Sequence, residues 1–457
     1  MKKFFLLFLC ILMRTIHAAP GLVINGTQFE YKGQKIFFSG MNLAWIDFNS
    51  DIGAAPLDEN KWRKAVQDIR AAGGNAIRWW LFNNMSQSPN INTTTNLVSG
   101  LPVNTINNIK KALDIAEEYG VMVSLCLFSH NLMEKDQWGL YNGKVPYDAN
   151  RKLFTDEGIE AFINNAMNPI LAGVGNHNAL WTWELFNEPE GMIQGWSGET
   201  MDLLSIQKFS NRVVAAIHDH DNTLLVSTGV NNAAALPTWT DAAMITAGGK
   251  QNGTLDFLQV HFYPEHLYTN ENPFDHPFSY WNLNKPLVIG EFWAAGWDKE
   301  TYPSYRVSTK TPVELYMHAY EKGYAGVLAW RYFEDNDGIA GKAVAHDYNA
   351  AKPGMEALAA KYEKFIKIKD YNSDPTSGNG VMQIATSNSA FATKNAIALQ
   401  VQNTAQLEIY NLSGKMQKTL NFKNGVYNVP LNDLPKGMYI VKTTFGTNAQ
   451  TLRMVVQ

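Results

Sequence analysis

The sequence predicts an α/β protein: a (β/α)8 TIM barrel followed by a small all-β sandwich domain. Two observations predict the barrel. Between Gly21 and about Tyr371, eight short and almost continuously apolar runs occur, and amphipathic helical stretches separate most of them. A third observation predicts the sandwich, because from Val381 to Gln457 apolar residues recur with period two and turn signals come at short intervals.

Each predicted strand is short and apolar, as expected for a parallel strand buried on both faces. The helical stretches between them have an apolar face, and one of them, "DENKWRKAVQDIRAAGG", ends on glycines as a helix C-terminus should. The eight runs are "KIFFSGMNLAW", "NAIRWWLF", "VMVSLCLFSH", "LWTWELFNEP", "LLVSTGV", "LDFLQVHFYP", "PLVIGEFW" and "GVLAWRYFE".

The N-terminus has the features of an export signal. Lys2 and Lys3 precede an apolar run that is too short to span a bilayer, and the small residues Ala18 and Ala19 follow it. The next residues are expected to form a hairpin that caps the barrel floor. The predicted organisation is a signal peptide over 1–19, a catalytic barrel over 20–370, a polar linker over 371–380 and a β-sandwich over 381–457.

Composition excludes some classes of function. A formal net charge of −4 gives no basic stripe for nucleic acid. The 13 Trp, 19 Tyr and 23 Phe are a large aromatic content, which suits sugar binding as well as core packing. Removal of the signal leaves Cys126 as the one cysteine, so no intramolecular disulfide is expected. The mature chain is expected to be a monomer with no membrane span, no metal and no cofactor.

Polar side chains collect at the ends of the apolar runs, where the active site of a TIM barrel lies. One such residue would be weak support, but residues from most of the strands converge on one mouth. Arg78 ends the second run, His130 the third, Asn187 and Glu188 the fourth, His261 and Tyr263 the sixth, Glu291 the seventh and Trp330 the eighth.

Two of these residues, Glu188 and Glu291, are paired carboxylates, which cleavage of a glycosidic bond requires. One protonates the leaving oxygen and the other supports positive charge at the anomeric carbon, so their pKa values must differ. Asn187 offers an amide for a sugar 2-hydroxyl, and Tyr263 and Arg78 can keep Glu291 ionised.

The remaining residues of the mouth suit sugar binding. His130 and His261 can hydrogen-bond sugar hydroxyls and the acid, and Trp330 offers a floor for a sugar ring. Trp45 and Trp138 are candidates for subsite walls. Trp181 begins a buried strand and is expected to pack against helices rather than to bind sugar.

The motifs "WELFNEPEG", "VIGEFW", "HFYP" and "LAWRY" together resemble glycoside hydrolase family 5, a family of retaining (β/α)8 enzymes. The resemblance covers the whole barrel. It implies that Glu188 is the general acid/base and that Glu291 is the nucleophile, with carboxyl groups about 5–5.5 Å apart. It assigns binding and support roles to Arg78, His130, Asn187, His261, Tyr263 and Trp330.

"FFSGMNLAWIDF" and "WELFNEPEGM" resemble the β-mannanase branch of that family more than its cellulases. The predicted function is therefore a secreted retaining endo-β-1,4-mannanase acting on mannan, glucomannan or galactomannan. An endo-β-1,4-glucanase is the first alternative. A non-catalytic carbohydrate-binding protein is disfavoured because both glutamates are intact, and a zinc enzyme because no clustered ligand spacing exists.

"LEIYNLSGK" and "LPKGMYIVK" near the C-terminus resemble the sorting domain of type IX secretion. A carbohydrate-binding module is the competing interpretation, but it needs exposed planar aromatics and this segment has no Trp. Sorting predicts that the protein is secreted or held at the cell surface, with the type IX machinery as a partner.

Two further glutamates lie beside Glu188. Glu184 shares its strand face but lies deeper in the barrel, where a buried carboxylate needs an arginine or another hydrogen-bond partner. Glu190 follows Pro189, and the sequence leaves open whether it reaches a sugar.

Overall fold

A computed structural model describes residues 21–135, 146–263, 271–294, 310–333, 347–366, 389–393, 396–431, 434–446 and 448–456. The chain divides into two compact units, Met1–Thr376 and Ser377–Gln457. The predicted signal peptide and linker lie outside the described residues, so their boundaries stay predictions.

The first unit contains a closed barrel of eight parallel strands, which confirms the predicted fold. Every barrel strand is buried or nearly so along its length, which explains the apolar runs in the sequence. The barrel strands are β4 (Phe38–Asn42), β5 (Ala76–Asn83), β8 (Met122–Ser129), β9 (Leu180–Asn187), β10 (Val226–Val230), β11 (Leu258–Phe262), β12 (Leu287–Phe292) and β13 (Gly326–Ala329).

Helices connect the strands and cover the outside of the barrel. Several begin with a side-chain cap; at the start of one helix Thr311 and Glu314 form a capping box. The helices are α1 (Glu59–Ala71), α2 (Thr105–Glu118), α3 (Tyr147–Lys152), α4 (Asp156–Phe162), α5 (Asn168–Val174), α6 (Glu190–Gln194), α7 (Leu203–His220), α8 (Asp241–Gly248), α9 (Pro312–Glu321) and α10 (Tyr348–Ile366). None of the described helices combines the length and the apolar character needed to cross a membrane.

Small sheets accompany the barrel. The strands before it, β1 (Leu22–Asn25), β2 (Gln28–Tyr31) and β3 (Gln34–Ile36), form an antiparallel sheet. The segment after β5 contains a hairpin of β6 (Asn90–Asn92) and β7 (Leu97–Gly100).

The N-terminal sheet packs against the barrel floor, through aromatic side chains. Phe29 lies edge-on to Phe38 and to Trp181, with ring centroids 5.1 and 5.9 Å away. Trp181 stacks on Phe38 at 4.0 Å and on Phe257 at 5.7 Å. The expectation that Trp181 packs against helices is therefore wrong, because its side chain turns to the floor cluster that the N-terminal sheet completes.

The second unit is all-β, as predicted. Its strands pair antiparallel around one long strand, Ala396–Asn411, which pairs with three of the others. Its apolar residues, among them Ile397, Leu407 and Val441, form a core of their own. The strands are β14 (Ser389–Thr393), β15 (Ala396–Asn411), β16 (Met416–Pro430), β17 (Gly437–Phe445) and β18 (Asn448–Val456).

Candidate active site

Glu188 follows the last residue of β9 and enters the mouth of the barrel from an unusual backbone conformation. Its φ is 50°, in the left-handed region that residues with a side chain seldom adopt. Its backbone N–H donates to the carbonyl oxygen of Gly229 on the next strand at 2.8 Å. The neighbouring strand therefore holds this turn and directs the carboxyl group into the mouth.

The Glu188 carboxyl group is 13% exposed and has two histidines beside it. Its Oε1 lies 2.9 Å from Nδ1 of His261, and its Oε2 lies 3.9 Å from Nδ1 of His130. Burial raises the pKa of Glu188 to about 7, and the positive charge of Arg78 offsets only part of that shift. Burial also lowers the pKa of both histidines to about 4, so each imidazole is neutral near pH 7.

Glu291, the next-to-last residue of β12, is held by stronger hydrogen-bond donors. The Tyr263 hydroxyl donates to its Oε2 at 2.5 Å, and the Arg78 guanidinium donates to its Oε1. Burial raises the pKa of Glu291, while His261, Arg78 and Tyr263 lower it. The permanent positive charge of Arg78 thus stabilises the Glu291 carboxylate. Among the described hydrogen bonds, none joins Arg78 to Glu188.

The two carboxyl groups face each other across His261. One oxygen of Glu188, one ring nitrogen of His261 and one oxygen of Glu291 all lie within 4.8 Å of one another. A register shift in the β11–β12 ladder places His261 directly opposite Glu291, where regular pairing would have placed it opposite Gly290. The bulge therefore brings the two side chains together.

Arg78 connects this pair to the barrel interior. The prediction that Arg78 ends its strand is wrong: β5 continues to Asn83, and the guanidinium is completely buried below the mouth. Besides Glu291 it donates to Asn42 Oδ1 and to Asn187 Oδ1, both at 2.9 Å. A fully buried side chain with these partners supports the carboxylate and the amide and leaves no surface for sugar contact.

Glu184 pairs with Arg78, as the buried position predicted. The guanidinium donates to its two oxygens at 2.7 and 2.6 Å. Gln259 and Ser124 also donate to Oε2, at 3.0 and 3.3 Å. These contacts lower the pKa of Glu184 despite complete burial, so it stays ionised and balances the charge of Arg78.

Glu190 begins α6, and its carboxyl group is hydrogen-bonded within the protein. Its Oε2 accepts the backbone N–H of Asn231 at 3.0 Å, and its Oε1 accepts Nε1–H of Trp239 at 3.4 Å. It is 6% exposed, and burial raises its pKa to about 7. The question that the sequence left open is answered, because this carboxyl group ties α6 to the segment after β10.

Aromatic rings form one wall of the mouth. Trp330 follows β13 and Trp45 follows β4, and their ring centroids are 6.0 Å apart. Trp80 completes the wall at 5.4 Å from Trp45 and 5.6 Å from Trp330. Trp138, the other predicted wall residue, lies outside the described residues.

Trp80 and Asn42 belong to this site but are absent from the sequence prediction. Trp80 lies two residues after Arg78 on β5, so strand alternation puts both on one face and could have found it. Asn42 ends β4, and its amide donates to Gly290 O at 2.9 Å and to Ala329 O at 3.2 Å. Its role depends on contacts with β5, β12 and β13, which no local pattern in the sequence reports.

Among the described residues, Glu188, His261 and Glu291 are also the group whose spacing would suit a metal ion. Glu291 already accepts hydrogen bonds from the positively charged Arg78 guanidinium and from the Tyr263 hydroxyl. A cation there would meet a like charge, which favours hydrogen bonding over metal binding.

A closed (β/α)8 barrel with two facing carboxyl groups at the C-terminal ends of its strands has the arrangement of a glycoside hydrolase. The sequence model described as Cellulase (glycosyl hydrolase family 5) matches residues 29–335. The chain belongs to glycosyl hydrolase family 5.

Relatives within this family carry a narrower name. The mannan endo-1,4-beta-mannosidase of Mytilus edulis is 28% identical over 355 residues, covering 70% of this chain and 90% of the relative. That of Cryptopygus antarcticus is 29% identical over 396 residues, covering 79% and 96%. The solved β-mannanase structure from Mytilus edulis superposes with a TM-score of 0.64 at 27% identity, covering 76% of this chain and 98% of that one. The endo-1,4-β-mannanase structure from Eisenia fetida gives 0.63 at 26%, covering 74% and 94%.

The second unit has a match of its own. The model described as Secretion system C-terminal sorting domain matches residues 392–457. The chain therefore carries a sorting domain for secretion, and the protein is directed to the cell surface or beyond it.

Proposed function

We propose that the protein is a secreted retaining endo-β-1,4-mannanase that hydrolyses internal β-1,4-mannosidic bonds of mannan, glucomannan or galactomannan. The observation that carries this proposal is the pair of carboxyl groups, the partly exposed Glu188 and the buried Glu291, that face each other at the barrel mouth. The names of the relatives support mannan as the polymer.

In the first step Glu291 is the nucleophile. Its carboxylate attacks the anomeric carbon, the bond from that carbon to the leaving oxygen breaks, and Glu188 gives its proton to that oxygen. A pKa of about 7 supports this role, because Glu188 still carries a proton in neutral solution. The Arg78 and Tyr263 donors support Glu291 as the ionised partner.

In the second step Glu188 acts as a base. It takes a proton from water, whose oxygen attacks the anomeric carbon and releases the Glu291 carboxylate. Two displacements at one carbon retain its configuration. His261 positions the acid/base, because its Nδ1 lies 2.9 Å from Glu188 Oε1 and 3.6 Å from Glu291 Oε2.

The surrounding residues bind and orient the sugar in this proposal. Asn187 is fixed by Arg78 and offers its amide NH2 to a 2-hydroxyl. His130 contributes a neutral ring beside Glu188, and Trp330 and Trp45 offer apolar faces to pyranose C–H groups. Trp138 stays a predicted wall residue.

An endo-β-1,4-glucanase is the second candidate, since the family model is described as Cellulase. Side-by-side product analysis on linear mannan, galactomannan, glucomannan and carboxymethyl-cellulose separates the two. The proposal predicts oligosaccharides from the three mannose-containing polymers. Release from carboxymethyl-cellulose and none from linear mannan would replace it with the glucanase.

The roles of the two glutamates are tested with an activated substrate. Glu188→Ala is expected to slow hydrolysis of mannan by at least about 10³-fold, whereas azide restores part of the turnover of a dinitrophenyl mannobioside, whose leaving group needs no proton. The azide product should be the β-mannosyl azide. Near-normal mannan hydrolysis by Glu188→Ala would exclude it as the acid.

The pH profile gives a second test of the same roles. Since Glu188 must be protonated in the first step, kcat/KM on mannan is expected to fall as pH rises through about 7. The dinitrophenyl substrate should lack that alkaline decline. An identical decline for both substrates would assign it to another group.

A further inference from the structure

Trp196 is a large aromatic residue that the catalytic proposal does not use. It follows α6, directly after Gly195, whose φ of 72° ends that helix in the left-handed conformation. Trp196 is 43% exposed. Its backbone N–H donates to Gly191 O and its Nε1–H donates to Gln194 Oε1, both at 3.0 Å. The indole is thus fixed in place while much of its surface stays open.

One edge of the indole is packed against the active site. Its ring centroid lies 5.2 Å from that of His130, with the planes at 73°. A Cβ atom added to Gly191 would lie 2.5 Å from Cε3 of Trp196 and 2.7 Å from Cβ of His130. Only glycine at position 191 lets these two side chains approach as they do. Such a tight fit would be unnecessary for an indole that merely lay on the surface.

The position of Trp196 relative to Glu188 indicates which sugar it would meet. His130 links them: its Nδ1 lies 3.9 Å from Oε2 of Glu188, and its ring centroid lies 5.2 Å from that of Trp196. Exposure increases along this series of contacts, from 13% for the Glu188 side chain and 20% for that of His130 to 43% for Trp196. The sugar that leaves in the first step lies next to the acid that protonates it. A chain continuing from that sugar toward solvent would pass over Trp196.

We propose that Trp196 is the platform of a binding subsite on the leaving-group side, where it stacks on a pyranose ring of the departing oligosaccharide. This inference rests on the proposed function for the identity of that sugar, a β-1,4-linked mannosyl residue. The wall of Trp45, Trp80 and Trp330 lies on or just after β4, β5 and β13, whereas Trp196 follows α6 after β9.

The same platform would hold an acceptor sugar after the first step. The acceptor hydroxyl oxygen bonds to the anomeric carbon, the ester bond to Glu291 breaks, and the hydroxyl proton passes to Glu188. The product is then a longer oligosaccharide in place of a hydrolysed one. A subsite that holds an acceptor sugar where water would otherwise react therefore raises the rate of transglycosylation relative to that of hydrolysis.

The test compares two substrates in the full chain and in three variants. Mannotetraose has sugar on both sides of the scissile bond, whereas 4-nitrophenyl β-mannobioside has no sugar on the leaving side. In Trp196→Ala, the ratio of kcat/KM for mannotetraose to that for the aryl substrate is expected to fall about tenfold, and transglycosylation products to fall with it. Trp196→Phe should restore most of the ratio, because a phenyl ring still stacks. Tyr280→Ala is the control, since Tyr280 is 51% exposed and stacks on His276 away from the mouth.

An unchanged ratio would overturn the subsite. An equal loss on both substrates would also overturn it and would mean that Trp196 acts through His130 or through folding. If the wild-type protein cleaves cello- rather than manno-oligosaccharides, the mannanase proposal fails by itself. The same ratio measured with cellotetraose and the aryl cellobioside then decides the subsite.

Discussion

The two ends of the barrel bury side chains of opposite chemical character. The floor holds a cluster of aromatic rings, in which Trp181 stacks on Phe38 and on Phe257. The mouth holds Arg78 and Glu184, both completely buried, and beside them Glu291.

This difference indicates that the floor contributes mainly to the stability of the fold and the mouth mainly to the proposed reaction. Burying aromatic rings contributes free energy of folding, whereas burying charged groups costs desolvation that their mutual attraction does no more than offset. A barrel optimised for stability alone would be apolar at both ends. The proposed reaction accounts for the charged mouth, and substitutions at the two ends should affect different measurements.

The largest expected effect is at the mouth. Glu291→Ala removes the proposed nucleophile, so kcat/KM on mannan is expected to fall by at least about 10⁴-fold. The midpoint of thermal unfolding is expected to fall as well, because Arg78 and Tyr263 lose a buried acceptor, so kinetics are measured at a temperature where the variant is folded. Circular dichroism of the same sample checks the fold. Residual activity above about a tenth of wild type would remove Glu291 from the nucleophile role.

The floor should show the reverse behaviour. Trp181→Ala leaves a cavity among aromatic rings and is expected to lower the free energy of unfolding by about 3–5 kcal/mol. Trp181→Phe, which keeps a stacked ring, should lose less. Urea unfolding followed by far-UV circular dichroism measures both. At a temperature where each variant is folded, kcat/KM should stay within about twofold of wild type; a large loss would mean that the floor transmits strain to the mouth.

Glu184→Gln should change both stability and activity, since Glu184 pairs with Arg78 inside the barrel and Arg78 in turn holds residues of the mouth. The amide keeps the shape but removes the charge that balances Arg78, so unfolding free energy is expected to fall by about 3 kcal/mol. Because Arg78 also holds Glu291 and Asn187, kcat should fall about 10²-fold as these groups shift. Loss of stability with unchanged kcat would make Glu184 a purely structural partner.

The sequence predicted the barrel and the facing glutamates because both follow from local patterns. Apolar runs identify buried strands, and polar residues at their ends identify the mouth. It misplaced Arg78 because an apolar run does not show how deep a polar residue lies within it. The prediction for Trp181 was wrong because a buried position in the sequence does not show which residues pack against the side chain.

Glu190 was undecided for a related reason. Its partners, Asn231 and Trp239, are 41 and 49 residues away in the chain, and nothing in "NEPEG" points to them. A contact of that range becomes visible only when β9 and β10 are paired.

The smallest expected effect concerns Glu190, a buried carboxyl group that belongs neither to the aromatic floor nor to the charged cluster of the mouth. Its pKa of about 7 in the folded protein exceeds its ordinary value near 4.5. A raised pKa means that the folded state binds the proton more tightly, so the group's stabilisation is complete below about pH 4.5 and is lost as pH rises through about 7. Glu190→Gln does not titrate. The unfolding free energy of the wild type, relative to that of Glu190→Gln, should therefore fall by about 2 kcal/mol between pH 5 and pH 7.

Urea unfolding at both pH values measures this change, with the exposed Glu160→Gln as a reference for the loss of a surface carboxyl group. A difference that stays constant with pH would mean that Glu190 is ionised throughout, held by Asn231 and Trp239 more firmly than its burial opposes.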